Sequence, residues 1–270
     1  MINHLEDLEK LIEKYEISPQ DVCLITSCSY AVHGIRKNDD IEFALKPEAR
    51  KMLLEKYGTE LEYNSYSREI RFSEILSCRH NQYIMFDIDD DKLFSDSCSE
   101  TVQPYKVVNL DIYVAVKILQ NSRRDQDDID LVKTSSFWTP EFESKVKALL
   151  SKACANGWEI LDTDIKNSWT QLFSQNLPVY IFGTGYVGKN IYKKVKTDEY
   201  TDKLAGFLVS EKKNDSLNGV KIFNLVEIKE KKECIVIVAV ATKDMKVDME
   251  LLRTAGFTNL INGFQYHDKG

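Results

Sequence analysis

Two carboxylates one residue apart, Asp40 and Glu42, open the run Asp40-Ile41-Glu42-Phe43-Ala44-Leu45. On a strand, successive side chains point to opposite faces, so Asp40 and Glu42 share one face while Ile41 and Phe43 take the other. Paired hard oxygens suit Mg²⁺, which is commonly held by one or two carboxylates plus substrate phosphates. Upstream, Cys23-Leu24-Ile25 reads as a buried strand stopping at two small hydroxyl residues, Thr26 and Ser27. That turn offers hydroxyl and backbone N–H groups to a phosphate tail. A short helical segment with Tyr30, Ala31 and His33 closes at Gly34, and the polar turn Arg36-Lys37-Asn38-Asp39 leads into the acidic strand. A D-x-E pair is also the ordinary solvated side of a half-buried strand; it is the whole 24–45 pattern that favours the metal reading.

A second set of residues lies at Gly183-Thr184-Gly185-Tyr186-Val187-Gly188, where the apolar strand 178–182 runs into G-x-G-x-x-G and then a helix. In that context Gly183 allows the tight turn, Gly185 lets a pyrophosphate approach the backbone, and Gly188 lets the helix pack on the strand. The helix N-terminus then presents free N–H groups and a positive dipole end to phosphate. Dinucleotide sites usually end the next strand with an acid for the ribose hydroxyls; Ser210 stands at that end here and Glu211 one place later. Tyr192 and Lys196 have the spacing of a sugar-oxidoreductase pair but sit on the first helix after the glycines, so that chemistry is not supported. The bland alternative is a layer that stabilises or dimerises the chain with no ligand.

Elements able to position both sets are visible. An amphipathic helix over 2–15 carries Leu5, Leu8, Leu11 and Ile12 on one stripe, and Pro47 starts a helix that ends before Gly58. Strands are expected at 60–63, 69–72 and 82–88, with Asp89-Asp90-Asp91 as a solvated turn. From Asp111 the period becomes helical, with Ile112, Ala115, Val116 and Leu119 inward, then a second helix over 126–133 burying Ile129 and Val132. Helices at 148–155 and 165–173 connect to a strand–helix alternation: strand 204–209, a helix end at 227–232, the buried strand 234–240, helix 248–255 and a last strand at 260–261. The expectation is an α/β chain with a first domain over 1–150, a helical connector over 151–176 and a Rossmann-type parallel-sheet domain over 177–270.

The segment 24–45 resembles the signature of the nucleotidyltransferase fold, in which a Gly-Ser turn, a short helix ending "LHGIR" and an Asp-x-Asp strand form the active site. Here these read Thr26-Ser27, His33-Gly34-Ile35-Arg36 and Asp40-x-Glu42. Thr26 replaces the family's Gly on the triphosphate side, and Glu42 replaces the second Asp, moving its carboxylate out by roughly 1.5 Å. The resemblance implies a third carboxylate on a neighbouring strand; Glu62, Glu69 and Asp87 all fall on strand-like runs, and Glu69 is preferred. It also implies catalysis by Asp40, Glu42 and Glu69, with Mg²⁺ on Asp40 and Glu42 and the triphosphate at Ser27 and Arg36. The run 111–133 is similar to the "K…R.KD..D" tail of small nucleotidyltransferase families, which would bring Lys117, Arg124 and Asp125 to the phosphate side. Against it stands a plainer reading: Lys117 extends from an amphipathic helix, and the arginines make surface ion pairs with Asp125, Asp127 and Asp128. Residues 178–262 look like small Rossmann modules of bacterial surface-sugar biosynthesis, on Gly183–Gly188, Gly206-Phe207-Leu208 and Gly219-Val220-Lys221-Ile222. That likeness implies a nucleotide-sugar, with NAD as the other ligand.

Bulk properties narrow the partners. Residues 1–150 hold 19 Lys/Arg against 28 Asp/Glu and 151–270 hold 17 against 15, so the acidic half offers no clustered cations for a nucleic-acid backbone. An NTP and a small hydroxyl or phosphate acceptor fit better. Six scattered cysteines without C-x-x-C spacing indicate neither a zinc site nor a disulfide framework. No apolar run approaches the ~20 residues of a membrane span, and the acidic N-terminus is unlike a signal peptide, so a cytoplasmic location is expected. His33 could cap the helix or touch a phosphate, with packing preferred, and His4, His80 and His267 add little. The oligomeric state is left open.

Overall fold

A computed structural model provides the fold, describing residues 2–64, 69–120, 123–158, 160, 171–197, 200–241 and 244–263. The chain divides into two compact units, Met1–Ile118 with Arg124–Leu150, and Leu119–Arg123 with Ser151–Gly270. Each contains a mixed sheet with parallel pairs, so the chain is of the α/β class. Of the expected connector, residues 159 and 161–170 lie outside the described residues, and so does most of the helix expected over 165–173.

The first elements are α1 (Leu5–Lys14), β1 (Val22–Ile25), α2 (Ser27–Val32), β2 (Ile41–Leu45), α3 (Pro47–Tyr57), β3 (Glu62–Asn64), β4 (Glu69–Arg71) and β5 (Leu76–Cys78). They continue with α4 (Asp90–Leu93), β6 (Ser99–Val102), β7 (Tyr105–Val108), α5 (Leu110–Gln120), α6 (Arg123–Lys133) and α7 (Pro140–Ala155). The sheet order is β3-β4-β5-β2-β1-β7-β6. Leu24 pairs with Phe43 and Val107, Phe43 with Cys78, and Cys78 with Ile70, which aligns one apolar face. Leu8, Leu11 and Ile12 of α1 and Ala49 and Leu53 of α3 pack into the same core. Their helical spacing is what lets one stripe cover that face. On the opposite face Glu42, Ser77 and Arg71 stand in register across β2, β5 and β4.

Residues 82–88 do not form the expected strand. Ile84–Phe86 is a 3-10 turn, closed by Asp87 in the left-handed region at φ 55°, with Tyr83 and Phe86 buried. A short apolar run has no periodicity that separates a strand from a buried turn, and here tertiary burial decided. Shortness alone hid β5, β6 and β7, each only three or four residues long. Nor is 89–91 a solvated turn: Asp89 caps α4 by accepting from Lys92 N, and Asp90 is 3% exposed.

The second unit holds β8 (Val179–Phe182), α8 (Tyr186–Thr197), β9 (Leu204–Val209), β10 (Ser216–Leu217), β11 (Val220–Asn224), β12 (Ile235–Val238), α9 (Met245–Thr254) and β13 (Asn259–Asn262). Its order is β10-β11-β9-β8-β12-β13, parallel from β11 to β13, with β10 antiparallel at the edge. All of β12 is buried, as its unbroken apolar run requires between parallel neighbours. The helix end expected at 227–232 is instead a 3-10 turn, Leu225–Glu227, set by a capping box between Asn224 and Glu227. Among the described residues no helix is long and apolar enough to cross a membrane.

Candidate functional site

Ile25 pairs with Glu42, which sets the turn after β1 level with the entry of β2. At that turn Thr26 adopts φ 56°, ψ −127°, a region that glycine enters freely and a β-branched residue enters only under strain. Its N–H donates to the Tyr83 hydroxyl at 3.2 Å, and its carbonyl accepts from Ser29 N at 3.1 Å. Ser27, the first residue of α2, is buried.

Asp40 lies in the bend just before β2, rather than on the strand itself. The bend is fastened by the fully buried Asn38, whose Oδ1 and carbonyl accept from Asn3 N and Nδ2, both at 2.8 Å. In return, Asn38 Nδ2 donates to the carbonyls of Asn3 and Asp40 at 3.2 and 2.9 Å. Burial, then the negative charges of Glu42 and Asp39, hold the Asp40 carboxyl above its ordinary range. Beneath the pair, Cys28 is pushed up to about 12 by burial and by Glu42 and Asp40. The two carboxylates therefore do share a neighbourhood.

Glu42 is not free, however. Arg79 Nε donates to Glu42 Oε1, and Arg79 Nη1 stands 3.7 Å from Glu69 Oε2. Arg71 Nη2 approaches Glu69 Oε1 at 3.8 Å. Glu69 thus joins Glu42 through one guanidinium, with β5 between their strands. In type, Asp40 and Glu42 fit a hard divalent ion: both are oxygen donors, and the charge of Glu42 disfavours ionisation of Asp40. Among the described residues, no group of three or more His, Cys, Asp or Glu is arranged to enclose an ion, so any such site would be open on the ligand side.

Three further candidates are each paired with carboxylates. Arg36 forks onto Asp128, Nε to Oδ1 at 2.7 Å and Nη2 to Oδ2 at 3.2 Å. Lys117 is buried, its Nζ 2.6 Å from Asp125 Oδ1 and 3.2 Å from Asp128 Oδ2. Arg124 pairs with Asp39 at 2.6 Å on the surface. The Arg36 guanidinium lies 5.7 Å from the Tyr30 ring centre, and Lys117 Nζ 5.3 Å from that of Tyr113. The Tyr113 phenol is raised by burial and then by Asp128, with Arg36 opposing and Glu42 adding to the rise. The Tyr113 ring packs edge-on to that of Tyr30 at 4.8 Å between centres. This cluster corrects the expectation of surface pairs at Asp125 and Asp128: both are buried. Their i, i+3 spacing puts them on one side of α6, a signal present in the sequence. Arg79, a lone arginine after a three-residue strand, gave no local signal.

In the second unit, Gly183 has φ +106°, and a Cβ there would meet the Ala239 carbonyl oxygen at 2.7 Å. A Cβ on Gly188 would lie 2.0 Å from the Gly183 oxygen, so α8 sits directly against the turn. Gly185 faces open space, with nothing within 4 Å of an added Cβ. Thr184 is half-buried, Tyr186 is 54% exposed and Val187 is buried. Asn224 Nδ2 donates to the Ser210 carbonyl at 3.0 Å, tying down the end of β9, while Glu211 is exposed. A depression lined by Asn176, Leu177, Pro178, Asp202, Lys203 and Ala205 lies at the amino ends of β8 and β9, the opposite edge from the glycine turn. His33 packs, with Nδ1 2.8 Å from the Ser29 carbonyl oxygen and its ring edge-on to Phe137. His80 is held by the buried Asp90. Set against known proteins, the chain matches no family model and is similar to none of the curated proteins searched.

Proposed function

We propose that the first unit is a nucleotidyltransferase-like site that binds an NTP with Mg²⁺ and passes the nucleotidyl group to a small hydroxyl or phosphate acceptor. The observation carrying the reading is the Thr26–Ser27 turn, kept in a glycine-type conformation by a threonine, level with Asp40 and Glu42. Backbone strain of this kind persists where the surroundings impose it and clusters at binding sites. Asp40 and Glu42 would hold the ion, which when bound neutralises charge on the phosphate oxygens. Ser27 would meet the triphosphate, and Glu69 would take the proton of the attacking hydroxyl. Arg36 and Lys117 act behind the site, through the Asp125–Asp128 cluster, rather than on substrate.

The second unit, in this reading, binds a diphosphate-bearing ligand, a nucleotide-sugar or NAD. Support comes from its parallel strands, which run third-second-first-fourth-fifth as in Rossmann-type sheets, with the glycine turn at the carboxyl end of β8 where the order reverses. A cytoplasmic role in surface-polysaccharide or nucleotide-sugar metabolism would unite the two sites. A second reading, nucleotide binding without transfer, is favoured by one observation, the engagement of Glu42 by Arg79.

Calorimetry with the four NTPs, with and without Mg²⁺, tests the first site. Metal-dependent binding that Asp40→Asn abolishes, with the melting temperature unchanged or raised, supports it; a variant that fails to fold makes the pair structural. Product formation with a panel of acceptors separates transfer from binding alone. For the second site, NAD, NADP and uridine- and cytidine-diphosphate sugars are screened for thermal stabilisation, about 2.7 kcal/mol for a ligand at 100 times its dissociation constant. Gly185→Val should abolish the response; an equal response in the variant makes the turn scaffolding.

A further inference from the structure

Arg79 is the cation that the acidic face already holds at Glu42. Glu42 on β2 and Glu69 on β4 face the same way with β5 between them and a two-residue offset along the strands, so their backbones stand about 12 Å apart. One small ion cannot easily bridge that gap, whereas an arginine fork can. Arg79 does so from β5's end, its main-chain N–H fixed to the Phe43 carbonyl at 2.8 Å and its side chain 25% exposed. Glu42 and Glu69 are 15% and 12% exposed, so neither is compensated by bulk water. Asp40, the other half of the acidic pair, has no ion pair of its own among the described residues, and it too feels the Arg79 charge.

Resting on the first-unit site proposed above, we infer that Arg79 is a built-in counter-ion which a divalent cation must displace from Glu42. When the cation arrives with a triphosphate, the guanidinium keeps Glu69 and gains phosphate oxygens, its preferred bidentate partners. When the cation arrives alone, Arg79 has nothing to exchange for Glu42, and the site stays closed. Metal and nucleotide consequently bind as a pair, each raising the affinity for the other.

Manganese is a spectroscopic stand-in for Mg²⁺, because bound Mn²⁺ loses its free-ion paramagnetic resonance signal. Wild type should take up Mn²⁺ with an NTP present and little without. Arg79→Met should bind Mn²⁺ alone tighter than wild type by roughly tenfold or more, the effect of one neighbouring charge on a carboxylate. The same variant should bind the Mn²⁺–NTP complex more weakly. Arg79→Lys keeps the charge and should exclude lone Mn²⁺ as wild type does, while Arg79→Gln offers a second neutral variant if Arg79→Met unfolds. Adding Asp40→Asn to Arg79→Met should remove the new site. If wild type binds the Mn²⁺–NTP complex and neither neutral variant gains lone Mn²⁺, or if Arg79→Lys gains it equally, the exchange is wrong and the proposed site stands. If wild type binds Mn²⁺ with none of the four NTPs, the proposed site and this inference both fall.

Discussion

Thr26 holds a conformation that costs a β-branched residue about 1–3 kcal/mol. Thr26→Gly removes that strain, and glycine's greater freedom in the unfolded chain takes back about 0.4–1 kcal/mol. The variant should therefore gain about 1 kcal/mol in urea unfolding, a rise of roughly 2–4 °C in melting temperature. An unchanged or lowered stability would mean that the turn is not strained. At Lys117 the two readings of the same residue diverge sharply. Buried between Asp125 and Asp128, it shares Asp128 with Arg36. Lys117→Met should cost about 3–5 kcal/mol, the usual penalty for removing one partner of a buried ion pair. A substrate-only lysine would leave unfolding nearly unchanged and alter NTP affinity alone.

At the scale of elements, the contact between α8 and its preceding turn is the tightest constraint in the second unit. Gly188→Ala places a methyl 2.0 Å from the Gly183 oxygen, a backbone atom that cannot swing aside. About 3 kcal/mol should be lost, the upper range for overpacking, whereas Gly185→Ala, facing open space, should cost no more than about 1 kcal/mol. Equal losses in urea unfolding at both positions would contradict this division of roles. In the first unit the comparable constraint is the Asn3–Asn38 pairing, which ties the segment before α1 to the bend carrying Asp40. Both elements show one logic. Gly185 and Asp40 are left open, while the residues beside them are clamped.

Across the whole chain, buried thiols and phenols set the alkaline limit. Burial pushes Cys28 and Cys78 up to about 12, and raises Cys23, Tyr30, Tyr83 and Tyr113 further from their ordinary values. A raised acid keeps its proton in the native state while the unfolded chain ionises, so stability is intact below about pH 9 and falls as pH rises beyond it. Each such group contributes a loss of about 1.4 kcal/mol per pH unit between its unfolded and folded values. All six belong to the first unit. The phenolate absorbance of Tyr30, Tyr83 and Tyr113 should then appear in one cooperative step with unfolding of that unit, rather than as a gradual titration. At neutral pH a thiol reagent should label Cys154, the one exposed cysteine among six, and reach the rest only after denaturation. Rapid labelling of Cys28 in the native chain would show the floor of the acidic pair to be open.

What the sequence determined alone was local and periodic. The stripe of α1, the unbroken apolar run of β12, and the strand–turn–helix around Gly183, Gly185 and Gly188 could be read directly, because one element's period or one turn's sterics specify them. Alternation along 40–42 predicts Asp40 and Glu42 on one face, but Asp40 sits in the bend before the strand, where that alternation does not apply. Tertiary structure alone decided how charges were spent. Arg79 reaches Glu42 across 37 positions and Arg36 reaches Asp128 across 92, separations at which no local pattern operates. Residues 82–88 became a buried 3-10 turn, and β5, β6, β7, β10 and β11 went unforeseen, because segments of two to five residues are too short to show a period and take the conformation their neighbours impose. Period and turn chemistry belong to the chain. The pairing of a buried charge depends on which segments the sheet brings together, since a charge removed from water must find its partner wherever the fold supplies one.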